Sequence, residues 1–355
     1  MERDDYSDYS DSEEEEVIET FTKDDFCTYN LLKNSNLILT KVTKNKGPQS
    51  QFTIPAKVEH NGNEYEVVAI GPRALRESKL VKLNFDPESN IDKLRRDSLY
   101  CHTLEEVTLP PKLIALERGW CNFTLKLKDI IVPESNTNFV VAEDTKALYN
   151  SDRDILFFVP RTVRAFEVPN TVTTISSYAF EQCRRLKSIT FQEESTLRRI
   201  DPWAFSHCGL KCIEFPNSLV TISYDSFFHT HRLEEIKFGE GSQLKEVLIS
   251  AFKDTHLREV TLPRNCRKVA IAAFQNCPRL TQCRFESQDY VTVWRDAFRG
   301  VAEGFKVVKY EGTKIKGTGE PQLRDITEEV PNPNIASTIE ENAQQLLGSA
   351  PELTA

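Results

Sequence analysis

Six histidines and nine cysteines are the side chains of this sequence best suited to bind a metal or attack an electrophile. His229-Thr230-His231 places two imidazoles on one face of an extended segment, a spacing that suits chelation. Both follow Phe228 in a turn, and no Cys or Asp beside them completes a ligand set, so no metal is expected. His207-Cys208 has the residue types of a base and a thiol nucleophile. Cys208 also holds a place that recurs through the chain, which argues for a buried structural thiol. Gly-x-Ser-x-Gly, phosphate-loop, His-Glu-x-x-His and Gly-x-Gly-x-x-Gly patterns are all absent. Asp and Glu are scattered as solvated positions, without a convergent acid and base. Trp120, Trp203 and Trp294 lie near turns and read as core. Neither catalysis nor a cofactor is expected.

The elements that carry these residues are set by a repeat. Leu-x-x-(apolar)-x-(apolar) recurs from Leu80, Leu104, Leu127, Val163, Leu186, Leu210, Leu233, Leu257 and Leu280, at intervals of 24, 23, 36, 23, 24, 23, 24 and 23 residues. A small residue followed by a large apolar one keeps the same beat: Ala74-Leu75, Ser98-Leu99, Ala179-Phe180, Ala204-Phe205, Ser226-Phe227, Ala251-Phe252, Ala273-Phe274 and Ala297-Phe298. An aliphatic stands four residues before each pair, from Ile70 through Val293. Proline follows several of the strands, as at Pro110, Pro169 and Pro263, where a residue without an N–H ends a pairing ladder.

In Leu-x-x-Ile-x-Phe the fourth and sixth residues share one face of a strand, and that face turns inward. The small-large pair belongs on a short turn or helix, with Ala allowing close approach and Phe filling the coil. Three residues after the large member stand Ser78, Cys183, Cys208, Thr230, Thr255 and Cys277, small residues able to tuck into the turn. One coil cannot bury these side chains alone, whereas stacked coils share a core. The expected fold is a leucine-rich-repeat solenoid of about nine to eleven coils, mostly β with a short turn or helix per coil, α/β by class.

Outward strand positions lie two and four residues after each start. In the C-terminal half they gather Glu214, Glu235 and Glu259, with Lys237, Gln282 and Arg284 beside them. These six are the candidate partner-binding residues, and the expected partner is another protein. Reversing the three glutamates to lysine is expected to abolish capture of that partner.

Residues 1–16 carry nine acids and one Arg, and 311–355 carry eight acids and three bases, so the remainder of a chain of net charge −9 is about +4. A nearly neutral body argues against nucleic acid, which leaves a basic stripe. The expected domains are an acidic disordered tail at 1–26, a solenoid at 27–310 and a disordered tail at 311–355. Ser10 and Ser12 precede Glu13–Glu16 in the manner of an acidophilic kinase site, and Tyr6 and Tyr9 have the acidic context of sulfation. The polar start lacks a signal peptide, and no run of eighteen apolar residues is present. With an odd cysteine count that reads as reduced buried thiols, the expected location is cytoplasmic. Asn122-Phe123-Thr124 is the one N-glycosylation sequon.

The unit Leu-x-x-Ile-x-(Ile/Phe)-Pro-x-x-(Val/Leu)-x-x-Ile-x-x-x-Ala-Phe-x-x-Cys, seen most fully in 169–191, resembles the BspA-like class of leucine-rich repeats. Residues 52–75 resemble its entry module and 133–160 a hairpin-bearing unit, which accounts for the interval of 36. The resemblance covers about 27–310. It implies the repeat fold and, from relatives that are surface antigens binding host matrix or cells, an alternative as a surface adhesin exported without a signal peptide.

Overall fold

Alternating burial along each predicted strand is what the repeat spacing requires. In Cys212–Phe215 and Glu259–Leu262, outward and buried residues strictly alternate. The computed structural model describes residues 16–43, 50–318 and 327–331. It divides into two units, one of residues 1–163 with 176–185, the other of 164–175 with 186–355.

The first unit begins with the antiparallel strands Val17–Lys23, Cys27–Leu32 and Asn36–Val42. Asn63–Ile70 adds in parallel, and Lys57–His60 returns against it through Asn61-Gly62. Both turn residues have positive φ, 51° and 78°, the geometry of a two-residue hairpin that twists with its strands. Four parallel strands follow, in the order Gln51–Ile54, Lys82–Phe85, Glu106–Thr108 and Asp129–Ile131. The segment expected to bear a hairpin forms the antiparallel strands Phe139–Val141, Leu148–Asn150 and Ile155–Phe158.

The second unit pairs Ala165–Val168 with Ser188–Phe191, and builds a six-stranded parallel sheet. That sheet runs Cys212–Phe215, Glu235–Phe238, Glu259–Leu262, Gln282–Phe285, Lys306–Tyr310 and Thr327–Val330. The aliphatics that precede each small-large pair form a second parallel ladder through Ile175, Ile200, Ile222, Val247, Val269 and Val293.

Each coil closes through a turn, and among the described residues none contains a helix. The reason lies in the backbone. Residues two before and two after the large apolar member take positive φ: Trp203 and His207 flank Phe205, Asp225 and His229 flank Phe227, Ser250 and Asp254 flank Phe252. A left-handed residue every four positions interrupts any right-handed helix. The turns stack by backbone bonds instead. The Phe205, Phe227, Phe252 and Phe274 amides donate to the carbonyls of Ser226, Ala251, Ala273 and Ala297, at 2.7, 2.8, 2.8 and 2.8 Å. A small residue at that acceptor position is what permits the approach. The phenylalanine rings follow in register, with centroids 4.9–5.6 Å apart from Phe205 to Phe298.

The small residues three after the large member are buried, and the threonines among them bond backbone within the turn stack. Thr230 Oγ1 donates to the Phe205 carbonyl at 2.7 Å and Thr255 Oγ1 to the Phe252 carbonyl at 2.9 Å. Paired strands extend across both expected domain boundaries, from Val17 at one end and to Lys314–Thr318 and Thr327–Val330 at the other. Residues 1–15 and 332–355, which include Tyr6, Tyr9, Ser10 and Ser12, lie outside the described residues.

Candidate functional site

The strand face of the second unit is built by register. Cys212 pairs with Glu235, Glu235 with Glu259, Glu259 with Gln282, and Gln282 with Lys306. A parallel column carries Glu214 opposite Lys237, and Thr261 opposite Arg284. Side chains in register on neighbouring strands lie about 4.7–4.9 Å apart along the ladder. Glu235 and Glu259 are therefore direct neighbours, while Glu214 belongs to the other column and faces Lys237. Lys237 Nζ also reaches Glu235 Oε1 at 3.3 Å. Glu214, Glu235, Lys237 and Glu259 are exposed, and Gln282 and Arg284 are half-buried.

A residue that sequence reasoning passed over organises the margin of this face. Glu234, one position after its repeat start, accepts from Arg258 at 3.0 Å and lies 3.7 Å from Arg279 and 3.9 Å from Lys211. Glu234 and two of these cations, Lys211 and Arg258, line a shallow depression together with Glu214, Glu235, Lys237 and Glu259. The signal was present in the alternation of Lys211, Glu234 and Arg258 at one repeat place.

Eight of the nine cysteines are buried and all nine are free thiols. Cys208 is among the buried ones, and Cys212 alone is exposed, on the strand face. Burial pushes Cys277 up to about 11 and Cys266 to about 12, the opposite of an activated nucleophile. Trp120 is buried, and Trp203 and Trp294 are half-buried. The sequon residue Asn122 is 9% exposed and donates Nδ2 to Asp97 Oδ1 at 3.0 Å, which removes it from solvent. Among the described residues, no group of three or more His, Cys, Asp or Glu side chains is arranged to hold a metal. Also among them, no helix is long and apolar enough to cross a membrane.

Within the first unit, the coil that bears the inserted strands lacks a small-large pair, and Arg161 fills the vacated interior. Its guanidinium donates to the Tyr178 and Ala179 carbonyls at 3.3 and 3.1 Å, and lies 3.6 Å from Cys121 Sγ and 4.0 Å from Cys183 Sγ. Burial pushes the Glu181 carboxyl up to about 7, a rise that the Arg161 charge opposes.

The model of the BspA type leucine-rich repeat region matches residues 51–152 and 156–281, in six copies. No curated protein matches the chain. Similar solved structures include the pneumococcal vaccine antigen PcpA, at 14% identity and a TM-score of 0.39, covering 89% of this chain and 99% of that one. A leucine-rich repeat protein from Eubacterium ventriosum is 16% identical with a TM-score of 0.45, covering 80% and 95%. A leucine-rich cell surface protein from Faecalibacterium prausnitzii is 14% identical with a TM-score of 0.32, covering 88% and 98%.

Proposed function

We propose that the chain, which belongs to the family of BspA type leucine-rich repeat proteins, is a protein-interaction module whose outward strand face engages a basic surface of a protein partner. The observation that carries this reading is the register of Glu235 with Glu259, two exposed carboxylates set side by side on adjacent strands. Like charges directly opposite each other weaken a sheet. Folding gains nothing from the alignment, whereas a cationic partner relieves it and is steered toward it. Glu214, Lys237, Gln282 and Arg284 complete the face and set its specificity. The protein acts by binding, without a chemical step of its own. The burial of eight thiols supports a reducing, cytoplasmic setting.

Affinity capture from a lysate, read by mass spectrometry, compares the native chain with a Glu214→Lys, Glu235→Lys, Glu259→Lys variant at matched protein levels. Loss of a specific partner from the variant, with its melting curve unchanged, supports the strand face. Equal recovery places the binding surface elsewhere. Protease treatment of intact cells tests the compartment, since a cytoplasmic chain survives it.

A further inference from the structure

Four of the six histidines meet on the turn edge of the second unit. His207 and His229 occupy the same place in successive coils, two residues after Phe205 and Phe227, and both have left-handed backbone, φ 54° and 55°. The next coil puts Asp254 there, φ 59°. His231 and His256 stand four residues after Phe227 and Phe252. Backbone bonds fix these turns against one another: the His207 amide donates to the Phe228 carbonyl at 3.0 Å, and the His229 amide to the Lys253 carbonyl at 3.1 Å. The rings follow, with centroids 5.1 Å apart for His207 and His229, 5.0 Å for His229 and His231, and 5.9 Å for His231 and His256.

Two ring nitrogens converge. His229 Nδ1 lies 3.3 Å from His231 Nε2. Nitrogens bound to one zinc ion at about 2.0–2.1 Å, at a tetrahedral angle, stand about 3.3–3.4 Å apart. On the far side of the His229 ring, Asp254 Oδ2 lies 3.7 Å from Nε2. At that distance the carboxylate acts through its charge, which favours a cation held on the opposite ring nitrogen. Asp254, His231 and His256 also line a surface depression beside the pair, with Asn276 and Gly300. We propose that His229 and His231 form an open, two-imidazole site for a late first-row divalent ion, with Asp254 as its supporting charge.

The ligand set defines the ion. Imidazoles favour Cu²⁺, Ni²⁺ and Zn²⁺ over Mg²⁺ and Ca²⁺. Both rings must be neutral to bind. Lys253 and Arg279 repel a cation, and Asp254 offsets them. With two protein nitrogens in place, the remaining positions of the ion belong to water or to a ligand brought by a partner.

Calorimetric titration of the full chain with Ni²⁺ alone tests the site. Saturable binding near one ion per chain is expected at pH 7.5, persisting in Cys212→Ser, which removes the exposed thiol. His229→Asn with His231→Asn, chosen because Asn tolerates left-handed backbone, should weaken binding at least tenfold while leaving the melting curve in place. Asp254→Asn should weaken it severalfold by removing the carboxylate charge. An absence of saturable binding, or equal binding by the double variant, makes the 3.3 Å contact a hydrogen bond and overturns the site. Unchanged binding by Asp254→Asn overturns the role of that carboxylate.

Discussion

The Phe227 and Phe252 rings stack with their centroids 5.0 Å apart and their planes 15° from parallel. Both side chains are fully buried, and Phe274 continues the stack at 5.4 Å from Phe252. Phe252→Ala therefore empties a space shared by three coils. Unfolding in urea should show a loss of about 3–5 kcal/mol, the usual cost of deleting a buried aromatic ring. A loss below about 1 kcal/mol would put the side chain outside the core. Phe180, equally buried, should behave alike.

Asp225 gives the second unit a pH dependence. Burial pushes its carboxyl up to about 7, with Lys253 opposing the rise. The unfolded carboxyl titrates near 3.9. Below that value both states are protonated and the group contributes nothing. Between about pH 4 and pH 7 the folded state holds the proton that the unfolded state has released, so stability falls as pH rises. Above pH 7 the whole cost is present. Asp225→Asn keeps the size and suits the φ of 52°. It should raise stability by on the order of 2–4 kcal/mol at pH 8 and by little at pH 4. Parallel melting curves at the two pH values measure it.

Arg161 is the reciprocal case in the first unit. Arg161→Ala removes the charge that opposes the rise at Glu181, so the variant should lose more stability at pH 8 than at pH 5. Glu181 is itself poised near 7 and protonates readily once the arginine is gone. The cost should shrink toward pH 5, leaving the packing loss over Phe158, whose ring centroid lies 4.7 Å from the guanidinium carbon. An equal cost at both pH values would mean that the arginine works by packing alone.

The parts of the fold legible in the sequence are those that recur. Leu210, Ile213 and Phe215 mark a coil because the same types return about every 24 residues, and the structure buries all three. The paired columns of the strand face follow from that count. Less legible were the turns, since bulky Tyr178 and Trp203 occupy left-handed positions that propensity assigns to Gly or Asn. Their strain is carried by the stacked backbone bonds, which one coil alone does not show. Arg161 was hidden because its role depends on a turn that is missing. Asp254 was hidden because it meets His229 from the following coil, beyond any local pattern.

Glu259 separates a binding role from a solubilising one. It is the register partner of Glu235, and both are exposed. Lys237 bonds Glu235 and leaves the repulsion with Glu259 only partly offset. Neutralising one member with Glu259→Gln keeps the shape and removes the repulsion. Folding stability should rise by up to about 1 kcal/mol, the scale of a single cross-strand side-chain pair. If the pair serves a basic partner, capture should weaken in the same variant, and its dependence on salt should become shallower because one attractive charge is gone. A solubilising surface gives the first effect without the second. Measuring both on one variant decides between them: greater stability with undiminished capture would remove Glu235 and Glu259 from the binding face.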